Sequence, residues 1–327
     1  MNTNKQVIAR LMLGVGLLLC IPAAWAQSQP YPSRPIRLIV PFPPGGAVDP
    51  LARTYAQRLQ EAWGQPVVVD NKPGGGTIIG TEIVANAPPD GHTVILIATS
   101  FTVNPAMYSK LPYDPVKGFT PISLVARLPN MLVVNSRLPV HSVKELIAYL
   151  KANPGKVNYS SIGNGTTQHL AGELFKSMAG VNMVHIPYKG SGPSMMSVVS
   201  GETSVTFDTV FLLTPQVKAG RLRALAAEGK ERSVFAPDLP TLSESGLPGY
   251  DVAGWVGFLA PAGTPGAVVQ KWYGEITRVI QTPEIRNRQL SQGLEPVGSS
   301  PEQFAEFIKL EIAKWGKVAR DAGIKVQ

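Results

Sequence analysis

Short apolar runs alternate along this chain with longer stretches in which apolar residues recur every three or four positions. Ile36-Arg37-Leu38-Ile39-Val40, Val67-Val68-Val69 and residues 93–98 are runs of the first kind and predict buried strands. Between them, Asp49 opens a predicted helix on which Leu51, Tyr55 and Leu59 share one face. After the glycine loop Pro73-Gly74-Gly75-Gly76, a second predicted helix runs through Ala85. Such β-α-β alternation calls for an α/β fold with a mostly parallel sheet, covered by helices on both faces.

A second series of units starts near Ser123. Strands are predicted at residues 123–125 and 132–134. Ser142, followed three residues later by Glu145, has the capping-box pattern of a helix start, and Asn153-Pro154-Gly155 stops that helix. Residues 158–161 predict a strand, 162–166 a loop, and 167–179 a helix with Leu170, Leu174 and Met178 along one side and Gly180 as its cap. Strands recur at 184–186, 204–207 and 222–226. The segment 235–265 is rich in proline and glycine and contains a predicted strand at 255–259. Two or three helices close the chain. The last has Ser300 as N-cap, Pro301 in its first position and Gln303 completing a capping box. Phe304, Ile308, Ile312 and Trp315 give it an apolar face that needs a sheet to cover.

At 327 residues the chain exceeds what one compact core serves, which predicts two domains. Its first 26 residues read as a signal peptide. Lys5 and Arg10 flank a polar start, an apolar run follows from Leu11 to Ile21, and Ala24-Trp25-Ala26 places small residues where signal peptidase needs them. A membrane anchor is the competing reading, but that run falls short of the roughly 20 residues a bilayer takes. Cys20 is preceded by Leu19, where lipid attachment wants a small residue. It is also the only cysteine, so cleavage after Ala26 removes disulfides, thiol catalysis and cysteine-based metal sites together. The formal charge is +8; Lys5 and Arg10 account for two of it in an acid-free leader, leaving +6. A basic surface favours encounter with anions. Lys and Arg are scattered, with no basic run interleaved with aromatics, which argues against nucleic acid.

Enzyme signatures fall short. Gly75 and Gly80 are spaced like the glycines of a phosphate loop, but Thr81-Glu82 stands where Lys-Ser/Thr is required. Gly163-Asn164-Gly165 begins like a dinucleotide fingerprint, yet Gln168 occupies the place of the third glycine. There is no G-x-S-x-G elbow. His92, His141, His169 and His185 have no metal-ligand spacing, so neither a metal nor a cofactor is expected.

Two strand-to-helix loops suit anion binding instead. They are Phe42-Pro43-Pro44-Gly45-Gly46-Ala47-Val48-Asp49 and Ser161-Ile162-Gly163-Asn164-Gly165-Thr166-Thr167. Glycine lets a ligand approach the backbone, hydroxyls add donors, and unpaired N–H groups at a helix start carry positive potential. Each loop alone reads equally as a tight turn with an N-cap; the pair, in matching places of two halves, favours binding. Asp208 follows the predicted strand 204–207, outside the carboxyl end where open α/β sheets hold ligands. It either accepts from a ligand hydroxyl or amine, or caps the segment after it.

These loops resemble those of the substrate-binding proteins of tripartite tricarboxylate transporters, the Bug family. The resemblance runs from Tyr31 nearly to the C-terminus. Its landmarks include Tyr31-Pro32-Ser33-Arg34-Pro35-Ile36, Asn71-Lys72-Pro73-Gly74, Asp90-Gly91-His92-Thr93, His185-Ile186-Pro187-Tyr188-Lys189-Gly190 and Ala260-Pro261-Ala262-Gly263-Thr264-Pro265. It implies a two-domain type II periplasmic-binding-protein fold with a two-strand hinge. Domain I would comprise residues 27–127 plus 252–327, and domain II residues 128–251. It also implies a monomeric periplasmic receptor that closes on a small organic carboxylate and delivers it to the transporter's membrane subunits. Phe42, Gly46, Ala47 and Asp49 would line one wall, and Ser161, Gly165, Thr166 and His169 the other. Thr99, Ser100, Asn104 and Asp208 would complete the pocket.

Departures from the family pattern bear on the ligand. Val48 stands where a small hydroxyl residue is usual, and Pro73-Gly74-Gly75-Gly76-Thr77 replaces the usual Pro-Gly-Ala-Gly-Gly. Phe101 and Phe211 are expected to add apolar surface near the cleft, favouring a ligand with an aliphatic or aromatic body. The alternative reading is a hydrolase or lyase that uses His169 and Asp208 as acid and base in the same cleft.

Overall fold

The computed structural model describes residues 31–45 and 48–324. The expected leader, and Gly46 and Ala47 of the first loop, lie outside the described residues. From Arg34 onward the described residues form one compact unit.

Strands β1 (Ile36–Val40), β2 (Val67–Asn71) and β3 (Thr93–Ala98) form a parallel group, with β1 between the other two. Helix α1 (Asp49–Trp63) joins β1 to β2, and α2 (Ile78–Ala85) joins β2 to β3. Leu51, Tyr55 and Leu59 of α1 are buried, as their spacing predicts. Helix α3 (Ser100–Met107) follows β3 at once, and β4 (Phe119–Asn135) comes next. The second half supplies α4 (Val143–Ala152), β5 (Asn158–Ser161), α5 (Thr167–Ala179), β6 (Val184–Pro187), α6 (Ser191–Ser200), β7 (Val205–Thr209), α7 (Val210–Lys218) and β8 (Leu222–Ala227). Here β5 is parallel to both β6 and β7. The chain closes with β9 (Ala253–Pro261), α8 (Gly266–Gln281), α9 (Pro283–Ser291), the short β10 (Glu295–Pro296) and α10 (Pro301–Asp321).

The expectation of two strands at 123–125 and 132–134 is corrected: one 17-residue strand covers both. Its first part pairs antiparallel with β9, from Phe119↔Pro261 to Pro129↔Ala253. From Asn130 onward it pairs antiparallel with β7 on one edge and β8 on the other. Register shifts interrupt the β9 pairing near Pro121 and Leu124, where β-bulges bend a strand and raise its twist. The sheet is therefore mixed. Parallel pairing survives within each half, while the strands that carry the chain across are antiparallel.

Two cores result. Ile39, Ile95, Ile97, Phe101, Leu259 and Phe304 are among the residues of one. Leu132, Tyr159, Leu170, Phe175, Phe207 and Trp315 are among those of the other. Helix α10 serves both: Phe304 and Ile308 enter the first core, Trp315 and Val318 the second. Its start carries the expected reciprocal capping box, Ser300 with Gln303. At α4 only half of that motif forms. Ser142 accepts from the Glu145 N–H at 3.1 Å, but the Glu145 carboxylate reaches past it to the N–H of His141 at 2.7 Å. No helix among the described residues is long and apolar enough to cross a membrane.

Candidate functional site

A cavity of about 450 Å³ opens where the two halves and the crossing strands meet. Phe42, Val48 and Gly76, with Thr99, Ser100 and Asn104 at the start of α3, wall one side. Asn164, Gly165, Thr166, Thr167 and Gln168 wall the other, and Leu128, Asn130, Gly254 and Trp255 come from β4 and β9. The starts of α3 and α5 thus both face the cavity, and first-turn N–H groups have no helical acceptor of their own. No Asp, Glu, Lys, Arg or His lines it among the described residues. An anion held here meets neutral donors and helix-start potential rather than a cation.

The loop 162–166 is held by a compact network. Gly163 and Gly165 have φ of 138° and 72°, conformations that glycine adopts without steric cost. Thr166 donates to the Gly163 carbonyl at 2.7 Å and accepts from the His169 N–H at 3.4 Å, capping α5. The Gly165 N–H donates to Nδ1 of His169 at 3.0 Å. Ser161 is fully buried; its hydroxyl accepts from the Gly163 N–H at 3.1 Å and lies 2.6 Å from Nε2 of His185. The two imidazoles stack with centroids 3.9 Å apart. Burial pushes both down, and for His185 the neighbouring His169 and Lys176 charges add to it and bring it to about 4. Both rings are neutral at pH 7, which leaves Nδ1 of His169 free to accept.

On the opposite wall, Asn104 donates to the Gly76 carbonyl at 2.9 Å, and Ser100 lies 3.2 Å from the hydroxyl of Thr77. Thr99 accepts from the backbone N–H of Trp255 at 2.9 Å, tying α3 to β9. Val48 lines the cavity and is the N-cap of α1, with no side-chain capping bond.

Of the residues expected at the site, Phe42, Thr99, Ser100, Asn104, Gly165 and Thr166 line this cavity. Asp49, Ser161, His169 and Asp208 do not. Asp49 turns its carboxylate to the Gly45 N–H (3.0 Å), Arg53 (3.0 Å) and Asn71 (3.0 Å), and Asn71 in turn donates to the Phe42 carbonyl at 3.1 Å. Burial alone would raise its pKa, but hydrogen bonds from Arg53, Gly45 and Asn71 outweigh it and hold it at about 2. Ser161 and His169 brace their loop from behind. Asp208 is buried behind Gln168, whose Nε2 donates to it at 3.2 Å.

Phe101 and Phe211 do not supply the apolar lining. Phe101 packs in the first core against Phe119 and Tyr113, and Phe211 lies exposed against Gly293. Val103, Met107, Tyr108 and Ile162 supply it instead, with Trp255. Two of these, Val103 and Met107, sit on α3, and Tyr108 follows as its C-cap. That helix has no clear apolar periodicity, and its eight residues include Pro105. Gln168 and Asn130 are further polar lining residues that spacing alone does not reveal.

A cleft between two α/β halves, closed off by shared strands and walled by helix starts, defines a solute-binding protein. The chain belongs to the tripartite tricarboxylate transporter family receptors (TctC), whose family profile matches residues 51–324. It is 35% identical to protein BugT of Bordetella pertussis over 324 residues, 98% of this chain and 99% of that one. Among solved structures, R. palustris Rpa4515 with adipate is 38% identical, with a TM-score of 0.74, covering 91% of this chain and 100% of that one. MatC from Rhodopseudomonas palustris with bound malate is 30% identical, with a TM-score of 0.70, covering 88% of this chain and 100% of that one.

Proposed function

We propose that this protein is a monomeric periplasmic receptor, without catalytic activity, that captures a small organic carboxylate with an apolar body. It hands that ligand to the membrane subunits of a tripartite tricarboxylate-type transporter. The observation that carries this reading is a cavity that no charged side chain lines among the described residues, onto which two helix starts and a glycine loop open. Adipate in Rpa4515 and malate in MatC support a carboxylate as the ligand class. Val103, Met107, Tyr108, Ile162 and Trp255 suit an aliphatic or aromatic body.

In this reading Phe42, Thr99, Ser100, Asn104, Gly165 and Thr166, with Gly46 and Ala47, contact the ligand. Residues 27–127 with 252–327 close on 128–251 by bending where β4 and β9 cross. Closure driven by ligand contacts with both halves is hinge motion. A catalytic role for His169 and Asp208 is disfavoured because neither lines the cavity and the Nδ1 of His169 already accepts from Gly165.

The test begins with protein isolated from the periplasmic fraction, whose N-terminus is Gln27 if the leader is cut after Ala26. Mass spectrometry of co-purifying compounds and calorimetric titration with a carboxylate panel then define the ligand. Binding of neutral compounds with no carboxylate bound overturns the ligand class, and conversion of the bound compound overturns the non-catalytic reading.

A further inference from the structure

Three neutral polar side chains gather where the crossing strands wall the cavity. Asn130 begins the second part of β4, Thr209 sits opposite it in the β4–β7 ladder, and Gln168 comes from the first turn of α5. All three line the cavity. Behind them lie two carboxyl groups, Asp208 at 1% exposure and Glu228 at 0%. Asp208 Oδ1 accepts from Gln168 Nε2 at 3.2 Å and from the Thr209 N–H at 2.7 Å. The backbone N–H of Glu228 donates to the Asn130 carbonyl at 3.0 Å, while both its carboxyl oxygens are buried without a hydrogen-bond partner among the described residues.

Two buried carboxyl groups with no cation between them do not both ionise. Glu228, fully enclosed, is pushed well above the usual carboxylate range by burial and by Asp208, which the Asn130 side chain only partly opposes, and it keeps its proton. Burial raises Asp208 as well, but the Thr209 N–H and Gln168 Nε2 oppose it at Oδ1, so Asp208 is the member that gives up its proton first and Oδ1 is an acceptor. An ionised carboxylate only accepts, so it fixes which way round the Gln168 amide lies. The NH₂ group turns inward to Asp208, and Oε1 is the amide atom left for the cavity. A second ligand carboxylate would meet that oxygen acceptor to acceptor, with a buried negative charge behind it. A hydroxyl or ammonium group would meet a partner.

Building on the carboxylate reading above, we infer that Gln168, oriented by Asp208, selects ligands that carry a hydrogen-bond donor on the end remote from their carboxylate, over dicarboxylates of the same length. Gln168 is then a specificity-determining residue and Asp208 its positioning residue.

Calorimetric titration with matched series of about four to eight carbons, sized to a pocket of this class, tests it: unsubstituted carboxylates, ω-hydroxy and ω-amino carboxylates, and dicarboxylates. The ω-hydroxy and ω-amino members should bind the wild-type protein roughly threefold to tenfold more tightly than the unsubstituted acid, the worth of one hydrogen bond. They should also outbind the dicarboxylate. Gln168→Leu should erase that preference, costing the ω-hydroxy and ω-amino members more affinity than the unsubstituted acid, and an unchanged far-UV circular dichroism spectrum shows that the variant is folded. Asp208→Asn can donate to Oε1 and let the amide turn over, so discrimination against the dicarboxylate should shrink. A dicarboxylate preference in the wild type, or a donor preference that survives Gln168→Leu, overturns the inference and leaves the carboxylate reading intact. Binding of no member of any series overturns both.

Discussion

The backbone N–H of Gly165 donates to Nδ1 of His169 across 3.0 Å, so the imidazole serves the loop that walls the cavity rather than the cavity itself. His169→Ala leaves this N–H without its acceptor. Loss of one such bond costs about 0.5–1.5 kcal/mol. Urea unfolding should show that loss, and ligand affinity should fall as the loop loosens. Unchanged affinity and stability together would remove His169 from loop positioning.

A side chain at Gly165 would have to displace the end of Met107 and hold a strained backbone. A Cβ there would come within 2.6 Å of the Met107 terminal methyl, and the φ of 72° disfavours any L-residue. Gly165→Asp adds negative charge beside a proposed carboxylate. Calorimetry should find binding lost while far-UV circular dichroism stays that of the wild type. Retained affinity would rule the loop out as a ligand wall.

Thr166 spends its hydroxyl on the Gly163 carbonyl and the His169 N–H. Thr166→Ala should therefore cost stability, about 0.5–2 kcal/mol for a lost N-cap, as well as affinity. Thr166→Ser keeps the cap and should restore most of both. An affinity loss in Thr166→Ala with an unchanged melting temperature would show that the hydroxyl serves the ligand alone.

His185 is held to about 4, against 6.5 for a free imidazole, by burial first and by the His169 and Lys176 charges next. Its folded pKa lies below its unfolded one. Between about pH 6.5 and pH 4 the unfolded chain therefore takes up a proton that the folded chain refuses. The stability contribution is complete above pH 6.5 and is lost as pH falls toward 4. Urea midpoints measured at pH 7.5 and pH 5 should drop for the wild type, and less for His185→Gln. Equal drops would place the acid sensitivity elsewhere.

Most secondary structure was legible because short-range patterns control it. Apolar runs mark β1, β2 and β3, and the capping box at Ser300 and Gln303 marks the start of α10. Helices α3, α6 and α7 were not. Proline interrupts α3 and α7, and Gly192, Pro193 and four serines dilute any apolar stripe on α6. The single long strand β4 was hidden for another reason. Pro121 and Pro129 look like breaks along the chain, and only pairing with β9 makes them positions in one bulged strand.

The glycine loops could be recognised from sequence, but not which of their neighbours face inward. Asp49, Ser161, His169 and Asp208 have the chemistry of ligand contacts, but each turns a polar atom to a partner elsewhere in the fold or within a turn of it. Gly172 makes the same point inside α5. Its hydrogen faces the Tyr159 ring so closely that a Cβ would lie within 2.2 Å, a requirement that no helix pattern announces.

By itself, the sequence determined the α/β alternation, the helix ends and the glycine-hydroxyl loops, because periodicity, capping and φ freedom act over a few residues. Only the tertiary structure decided the antiparallel crossing strands, the sharing of α10 between two cores, and the turning of Asp208 onto Gln168. Those depend on pairing and burial between segments far apart in the chain, where the competition for each polar group is settled by what else is enclosed with it.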